Sequence, residues 1–442
     1  MSHSANVDFR HFAGSDRDAP VSSMAPTTGL FSGDLVPSSE LAPFDSRYEL
    51  VERSHTVGTG NAQYTVQMTA GGLNACSELL YKTIGNEKAL IVTTPTVARL
   101  YAREIFQSLH AKSDAIRMLT LGCTEALKTV DQVTSVCKEA MDFGIGRRGL
   151  LVGIGGGVCT DITTVAASWI HRGIGHIRVP TTLIGQIDAG IGIKGAVNFE
   201  GKKSYLGCFF PPRSVVVTPS LLSTLPEYRL REGFAEMIKI AIVRDSSLFS
   251  AIESWGCALA KDVFHRSHPQ RKDLLWQSII GILEELKPNI FENQSYERLV
   301  DFGHSFSPAL ESVSNFAIAH GEAVSIDIAL SVALSHAMKL LDEHTASRVL
   351  GVLTEIGLPI WTEQLKFALC MHSLADCALH RGGRPNLVVP VGIGNATFLV
   401  DTSAIAIRLP DALNWLSAMN SQAGGRSLPR CEQPESTTAV AG

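Results

Sequence analysis

Two histidines, His304 and His320, stand sixteen residues apart in "LVDFGHSFSPALESVSNFAIAHGEAV", each beside a glycine. An imidazole binds a divalent cation through one ring nitrogen, and two histidines with one carboxylate make a zinc set that leaves a position open for substrate or water. A carboxylate of the right kind occurs in "EGFAEMIK", where Glu236 and Lys239 lie three apart and share a helix face. Taken singly, the histidines read as ordinary helix residues and the Glu–Lys pair as a surface salt bridge; a metal centre is the sharper alternative.

Two further stretches carry chemistry. "GIGGGVCTD" (Gly153 to Asp161) follows an apolar run and precedes the helical "ITTVAASWI", so its backbone N–H groups could cradle a pyrophosphate at a helix N-terminus. It is not a full dinucleotide fingerprint, and an empty tight turn reads equally well. In "RVPTTLIGQIDAGIGIKGAVNFEGKKSYLG" (Arg178 to Gly207), Lys194, Lys202, Lys203, Asp188 and Asn198 sit among glycines. This reads as a glycine-lined loop, either exposed or able to bring ammonium groups close to a phosphorylated substrate.

Elements must position these groups. "KALIVTTP" reads as a short buried strand, "AIRMLTLG" and "GLLVGIGGG" as further strands, the last entering a glycine turn, with "TVARLYAREIFQSLHA" and "TVDQVTSVCKEAMDFG" as the helices between them. A β-α-β-α-β order implies a parallel sheet with helices on its faces. Ahead of it, "RYELVERSHTVGTGNAQYTVQMT" alternates apolar and polar residues around Gly-Asn and predicts a strand pair. Beyond Pro219 the apolar spacing becomes helical. The expected fold is thus α/β: an N-terminal Rossmann-like parallel-sheet domain followed by a mainly α-helical domain. Its expected divisions are a tail over 1–45, the α/β part over 46–212, the helical part over 213–420 and a second tail over 421–442.

Composition narrows the function classes. The 442 residues are 45% hydrophobic and carry a net charge of −5, with no basic run able to neutralise a line of phosphates, so nucleic acid is not an expected partner. Nine scattered cysteines without a CxxC pair match neither a disulfide framework nor a cysteine-rich zinc site. The first residues lack an apolar leader core, and no run of about 18 apolar residues occurs, so neither export nor membrane insertion is expected. A cytoplasmic enzyme is the expectation.

Together, "GGGVCTD", "PTTLIGQIDAGIGIK", "GKKSYLG", "LPEYRLREGFAEMIK", "FGHSF" and "HGEAV" stand in the order found in the sugar phosphate cyclase superfamily, whose best-known member is dehydroquinate synthase; the chain resembles it from about Ala89 to Val400. The resemblance implies NAD and a divalent metal, zinc or in some members cobalt, as cofactors. It implies Glu236, His304 and His320 as metal ligands, and Glu125, Lys128, Gly156, Gly157, Thr160, Asp161, Thr181, Thr182, Lys194, Lys203 and Thr224 as NAD contacts. Asp188, Lys194, Lys203, Lys239 and Asp301 would be the catalytic residues. Arg172, which in some members reaches across a homodimer interface, would contact the substrate phosphate with Arg381 and Arg384. The implied chemistry is transient oxidation of a sugar alcohol by NAD, β-elimination of phosphate, return of the hydride and an intramolecular aldol closure.

Three positions bear on the substrate. Dehydroquinate synthases have arginine, asparagine and histidine where this chain has Glu297, Asp301 and Pro308, which disfavours a carboxylate-bearing sugar. The pattern is similar to cyclases of sedoheptulose 7-phosphate, and Phe306 with Glu322 resembles the 2-epi-5-epi-valiolone synthases more than the demethyl-4-deoxygadusol synthases. Ser204, Gly195 and Thr94 depart from the usual family residues; the first two match positions near the substrate and leave a 2-epi-valiolone synthase open, while Thr94 matches one near the cofactor's adenosine end. An NAD-dependent polyol dehydrogenase is the remaining enzymatic alternative.

Overall fold

Strands β1 (Val51–Val57) and β2 (Tyr64–Thr69) form the expected antiparallel pair. The computed structural model describes residues 50–58, 62–261 and 269–424, so the turn of this pair and the expected 1–45 tail lie outside the described residues. Most of the expected 421–442 tail does too; what is described of it includes the end of a helix, Thr402–Gln422. All described residues belong to one compact unit.

The three expected strands become β3 (Ala89–Thr93), β4 (Ile116–Thr120) and β5 (Leu150–Gly155), all parallel. Every residue of β3 and β5 is buried, which suits continuous apolar runs covered on both faces. After β6 (Gly175–Pro180) come β7 (Lys194–Phe199), β8 (Lys202–Phe209) and β9 (Ser214–Val217). The main sheet runs β1-β2-β9-β6-β5-β3-β4, and β1–β2 is its one antiparallel pair. Strand β9 lies past residue 212 yet sits between β2 and β6, so the sheet extends beyond the expected start of the helical part.

From β3 the chain turns outward to β4, and from β5 inward to β6, so a crevice opens at the carboxyl ends of β3 and β5. That is the ligand position of doubly wound sheets. The helix predicted over "TVARLYAREIFQSLHA" is interrupted by a π-helical turn, Ala98–Ala102, ahead of Arg103–His110.

One expectation is corrected. The stretch read as a glycine-lined loop contains β6, a helical turn Gly185–Ala189, and the antiparallel hairpin β7–β8. Glu200 and Gly201 at the hairpin tip both have positive φ, 47° and 76°, the handedness that closes a two-residue turn. Lysines at the ends of β7 and β8 are therefore held on paired strands.

Past β9 the helices Glu227–Arg244 and His320–Ala337 are buried around most of their circumference. Phe234, Phe249, Phe302, Phe306 and Leu330 pack in the core between them. A second hairpin, β10 (Leu387–Gly392) with β11 (Asn395–Leu399), covers this core; no periodicity argument had marked it. No helix among the described residues is long and apolar enough to cross a membrane.

Candidate active site

Glu236 lies in the buried stretch of its helix and is 1% exposed. A carboxylate in such a place needs compensation. Lys239, one turn on, brings Nζ within 2.7 Å of Glu236 Oε2 and 3.1 Å of Asp188 Oδ2. What reads in isolation as a surface salt bridge is a buried one.

His304 occupies the turn between the Leu299–Asp301 helical turn and the Ser307–Val313 helix, and His320 begins the His320–Ala337 helix. Their glycine neighbours explain how they meet. Gly303 has φ +74°, and a Cβ there would stand 3.1 Å from Ile328 and Val324 side chains. At Gly321 a Cβ would come 2.4 Å from the backbone of Glu232. Only glycine lets this helix start touch the neighbouring helix one turn before Glu236. As a result, His320 Nε2 lies 3.3 Å and His304 Nε2 3.6 Å from Glu236 Oε1. The three donor atoms fall within 4.8 Å of one another.

Each ring has its other nitrogen engaged: His304 Nδ1 faces Phe302 O at 3.1 Å, and His320 Nδ1 faces Glu311 Oε1 at 2.9 Å. Protons on Nδ1 leave both Nε2 lone pairs aimed at one point. Burial alone would push the Glu236 carboxyl up, but Lys239, His304 and His320 outweigh it and hold it well below the usual range. Burial pulls the His320 imidazole down, and Glu236 with Glu311 more than reverses this, to about 9. Burial, with Lys239 and His320, pulls the His304 imidazole down despite Glu236. Both Glu236 oxygens are buried without a well-aligned hydrogen-bond donor, so the residues fit a divalent cation.

Two supporting carboxylates were not legible as site residues. Glu311, buried, takes His320 Nδ1 on one oxygen and Lys203 Nζ at 2.5 Å on the other. Carboxylates behind ligating histidines fix ring and tautomer, so Glu311→Ala is expected to lower zinc affinity about 10- to 100-fold, measured by chelator competition, with a smaller loss for Glu311→Gln. Asp327, fully buried, accepts from the backbone N–H groups of Phe306 and Ser307 at 2.5 and 2.8 Å and so anchors the turn that carries His304.

Burial pushes the Asp327 carboxyl up to about 6, against the pull of those N–H groups. Its unfolded value is about 3.9, so the folded chain holds this proton more tightly. This contribution to stability is fully present below about pH 4 and is lost as pH rises through about 6, an effect of about 3 kcal/mol. Urea unfolding at pH 4.5 and 7 should show that fall, and Asp327→Asn should flatten it; an unchanged slope in the variant would contradict the assignment.

Of the three candidate ligands His304 lines a cavity of about 170 Å³. Asp188, Lys194, Lys239, Asp301 and His304 supply its polar wall, and Leu286, Ile290 and Val300 its apolar one. The backbone around Lys194 is held by a residue with no role assigned from the sequence. Arg178, 0% exposed, donates to the carbonyls of Gly192 and Lys194 at 2.7 and 2.8 Å and to Thr164 Oγ1.

At the sheet crevice, Gly156 caps the Gly157–Trp169 helix without a side-chain hydrogen bond. A Cβ on it would reach Thr182 at 3.1 Å, so the bare backbone of the turn forms a cradle beneath "PTTL". Thr181 N–H donates to Gly155 O at 2.9 Å, and Lys128 pairs with Asp161 at 2.5 Å. Asn198 of the hairpin donates to Glu125 at 3.0 and 3.1 Å, joining the "TEALK" turn to β7. First-turn N–H groups and a buried lysine beside a bare turn fit a dinucleotide pyrophosphate.

Models of the 3-dehydroquinate synthase N-terminal and C-terminal domains match residues 118–232 and 233–376. The chain belongs to the dehydroquinate synthase family of sugar phosphate cyclases. It is 36% identical over 348 residues to a 2-epi-5-epi-valiolone synthase of an Actinomyces species, covering 76% of this chain and 91% of that protein. A demethyl-4-deoxygadusol synthase of Trichormus variabilis is 30% identical over 366 residues, 80% of this chain and 88% of the relative. Among solved structures, ValA, the 2-epi-5-epi-valiolone synthase of Streptomyces hygroscopicus subsp. jinggangensis 5008 with NAD+ and Zn2+ bound, superposes with a TM-score of 0.75 at 36% identity, over 82% of this chain and 98% of that one.

Within this cyclase not every expected contact gathers at the cavity. Lys203 reaches the site through Glu311, and exposed Thr224 bonds Tyr101 at 2.6 Å. Thr160 turns its hydroxyl back to Gly157 O at 3.0 Å. Arg172 and Arg384 are exposed and outside the cavity lining. Arg381 is already engaged, with Pro385 O at 3.0 Å, Ser305 Oγ at 3.3 Å and Asp301 at 3.5 Å, so here it latches the 381–386 turn to the metal turn. Glu297 is exposed, and an arginine stands beside it: Arg298 grips Asp301 at 2.9 Å. Phe306 is 1% exposed in the core, and Glu322 accepts Ala319 N–H at 3.0 Å as a helix cap. Neither lines the cavity.

Proposed function

We propose that this cyclase converts sedoheptulose 7-phosphate to 2-epi-5-epi-valiolone with release of phosphate, as a carbon–oxygen lyase that uses NAD and a divalent cation, zinc first. The observation that carries this reading is the meeting of Glu236, His304 and His320 beside a cavity lined by His304 together with Asp188, Lys194, Lys239 and Asp301. Its support from relatives is the likeness to 2-epi-5-epi-valiolone synthases over most of their length. Glu236, His304 and His320 would hold the cation, and the glycine turn with Lys128, Asp161, Thr181 and Thr182 would hold NAD. When bound, NAD accepts and returns one hydride while the cation polarises the reacting oxygen.

The chain's own residues supply the rest. Lys239 stays protonated because Asp188 and Glu236 outweigh its burial and raise it further, so its Nζ remains a donor toward the sugar oxygens. Lys194, 57% exposed at the cavity, is the cation placed to meet a departing phosphate. Asp301 in the wall has its oxygens held by Arg298 and offers a substrate carboxylate no donor, which favours an uncharged heptulose end. On the same reading the protein is a cytoplasmic homodimer of cyclitol biosynthesis, and exposed Arg172 reaches the partner's site.

Product identification by NMR after reaction with sedoheptulose 7-phosphate tests the proposal. The expected cyclitol is 2-epi-5-epi-valiolone; 2-epi-valiolone or demethyl-4-deoxygadusol would reassign the ring closure or the later steps. Turnover of the deoxy-heptulosonate phosphate instead would overturn the substrate.

A further inference from the structure

A chain of ion pairs runs through the cavity wall, and two of its members, Glu292 and Arg298, have no part in the chemistry above. Glu292 pairs with Lys194 through Oε1 and with Arg298 Nη1 through Oε2. Arg298 gives its remaining nitrogens, Nε and Nη2, to Asp301 at 3.2 and 2.9 Å. Lys194 and Asp301 line the active-site cavity, while Glu292 and Arg298 line a second cavity of about 210 Å³. The two cavities share Leu286 and Val300, so the Glu292 carboxylate is part of their partition.

One carboxylate, offering one oxygen to each cation, measures how closely Lys194 and Arg298 converge. Their spacing suits two oxygens of a single anion, and a phosphate presents such a pair with a further acceptor and more charge. Arg298 keeps its grip on Asp301 if Glu292 leaves, so the receiving group stays in place. Glu292 is the movable partner: residues 290–298 form neither helix nor strand, and its φ of 53° is one that side-chain-bearing residues avoid.

We propose that Lys194 and Arg298 form an anion subsite for the substrate phosphate, and that Glu292 is its built-in competitor, displaced when phosphate binds. The subsite rests on the sugar phosphate reading above. It explains why a lysine at the reaction cavity is neutralised within the chain, and it adds a residue, Arg298, to phosphate recognition.

Inorganic phosphate binding to the metal- and NAD-loaded protein, measured by calorimetry, tests this without turnover. Glu292→Gln should bind phosphate about tenfold more tightly than the parent, and Arg298→Gln about tenfold more weakly. Glu292→Asn removes the same charge and suits the left-handed backbone, so it should bind tightly too and keeps the test open if the first variant folds poorly. Unchanged or weaker binding in both Glu292 variants would overturn the proposal and make Glu292 a positioner of Lys194. A protein that shows the expected binding but cyclises no sugar phosphate would sink the reaction assignment and leave the subsite standing.

Discussion

Replacing Glu236 by glutamine is expected to abolish turnover and to lower zinc affinity by at least about 100-fold, because it removes the only anionic ligand of a three-residue set. The substitution keeps shape and burial and changes charge alone. It also leaves Lys239, 2% exposed, with Asp188 as its one remaining carboxylate partner at 3.1 Å. Removing one member of a buried ion pair costs about 3–5 kcal/mol, so the metal-free variant should unfold at lower urea than the parent. Metal content, turnover and urea midpoint can be read on one preparation. Retained zinc with retained activity would mean that Glu236 serves only to neutralise Lys239.

The second large effect lies away from any reacting atom. Arg178→Met is expected to cost about 3–5 kcal/mol of stability and to raise KM for the sugar phosphate, although Arg178 does not line the cavity. Its guanidinium is the donor for the Gly192 and Lys194 carbonyls, and methionine fills the volume without replacing a hydrogen bond. Asp161 would lose a neighbouring positive charge that now opposes the effect of burial on its carboxyl. Arg178→Lys keeps the charge but not the fork of donors and should fall between the two. Urea unfolding gives the stability loss, and the KM-to-kcat split separates a displaced Lys194 from general unfolding. An unchanged KM would show that the turn keeps its shape without the arginine.

What the sequence made legible was local. The strands at Ala89–Thr93, Ile116–Thr120 and Leu150–Gly155 and the helices between them follow from apolar patterning, and they stand in the parallel arrangement that their alternation implies. The glycines beside His304 and His320 were visible, but their reason was not: one serves a positive φ, the other a contact with a helix some ninety residues earlier. Strand β9 has four residues, too few for a pattern, and takes its place only from its neighbours. The hairpin β7–β8 was hidden because its glycines and lysines resemble loop composition, while its alternation is satisfied against the Gly157–Trp169 helix.

The missed site residues share one physical cause. Glu311, Asp327, Arg298 and Glu292 act on other residues, and a carboxylate behind a histidine has no signature until the fold brings it there. Glu322 shows the converse. It stands two residues from a metal ligand, where a substrate contact is a natural expectation, yet its oxygen is engaged by the helix start. Proximity in sequence to His320 did not translate into proximity to the cavity.

In the proposed reaction hydride leaves and returns within one turnover while phosphate departs. With zinc-loaded protein, sedoheptulose 7-phosphate and NAD far below the substrate concentration, phosphate release and absorbance at the NADH band should be followed together. Many equivalents of phosphate per NAD with no net NADH are expected. NADH accumulating in step with substrate loss, without phosphate, would contradict it and mark the protein as a dehydrogenase on this fold.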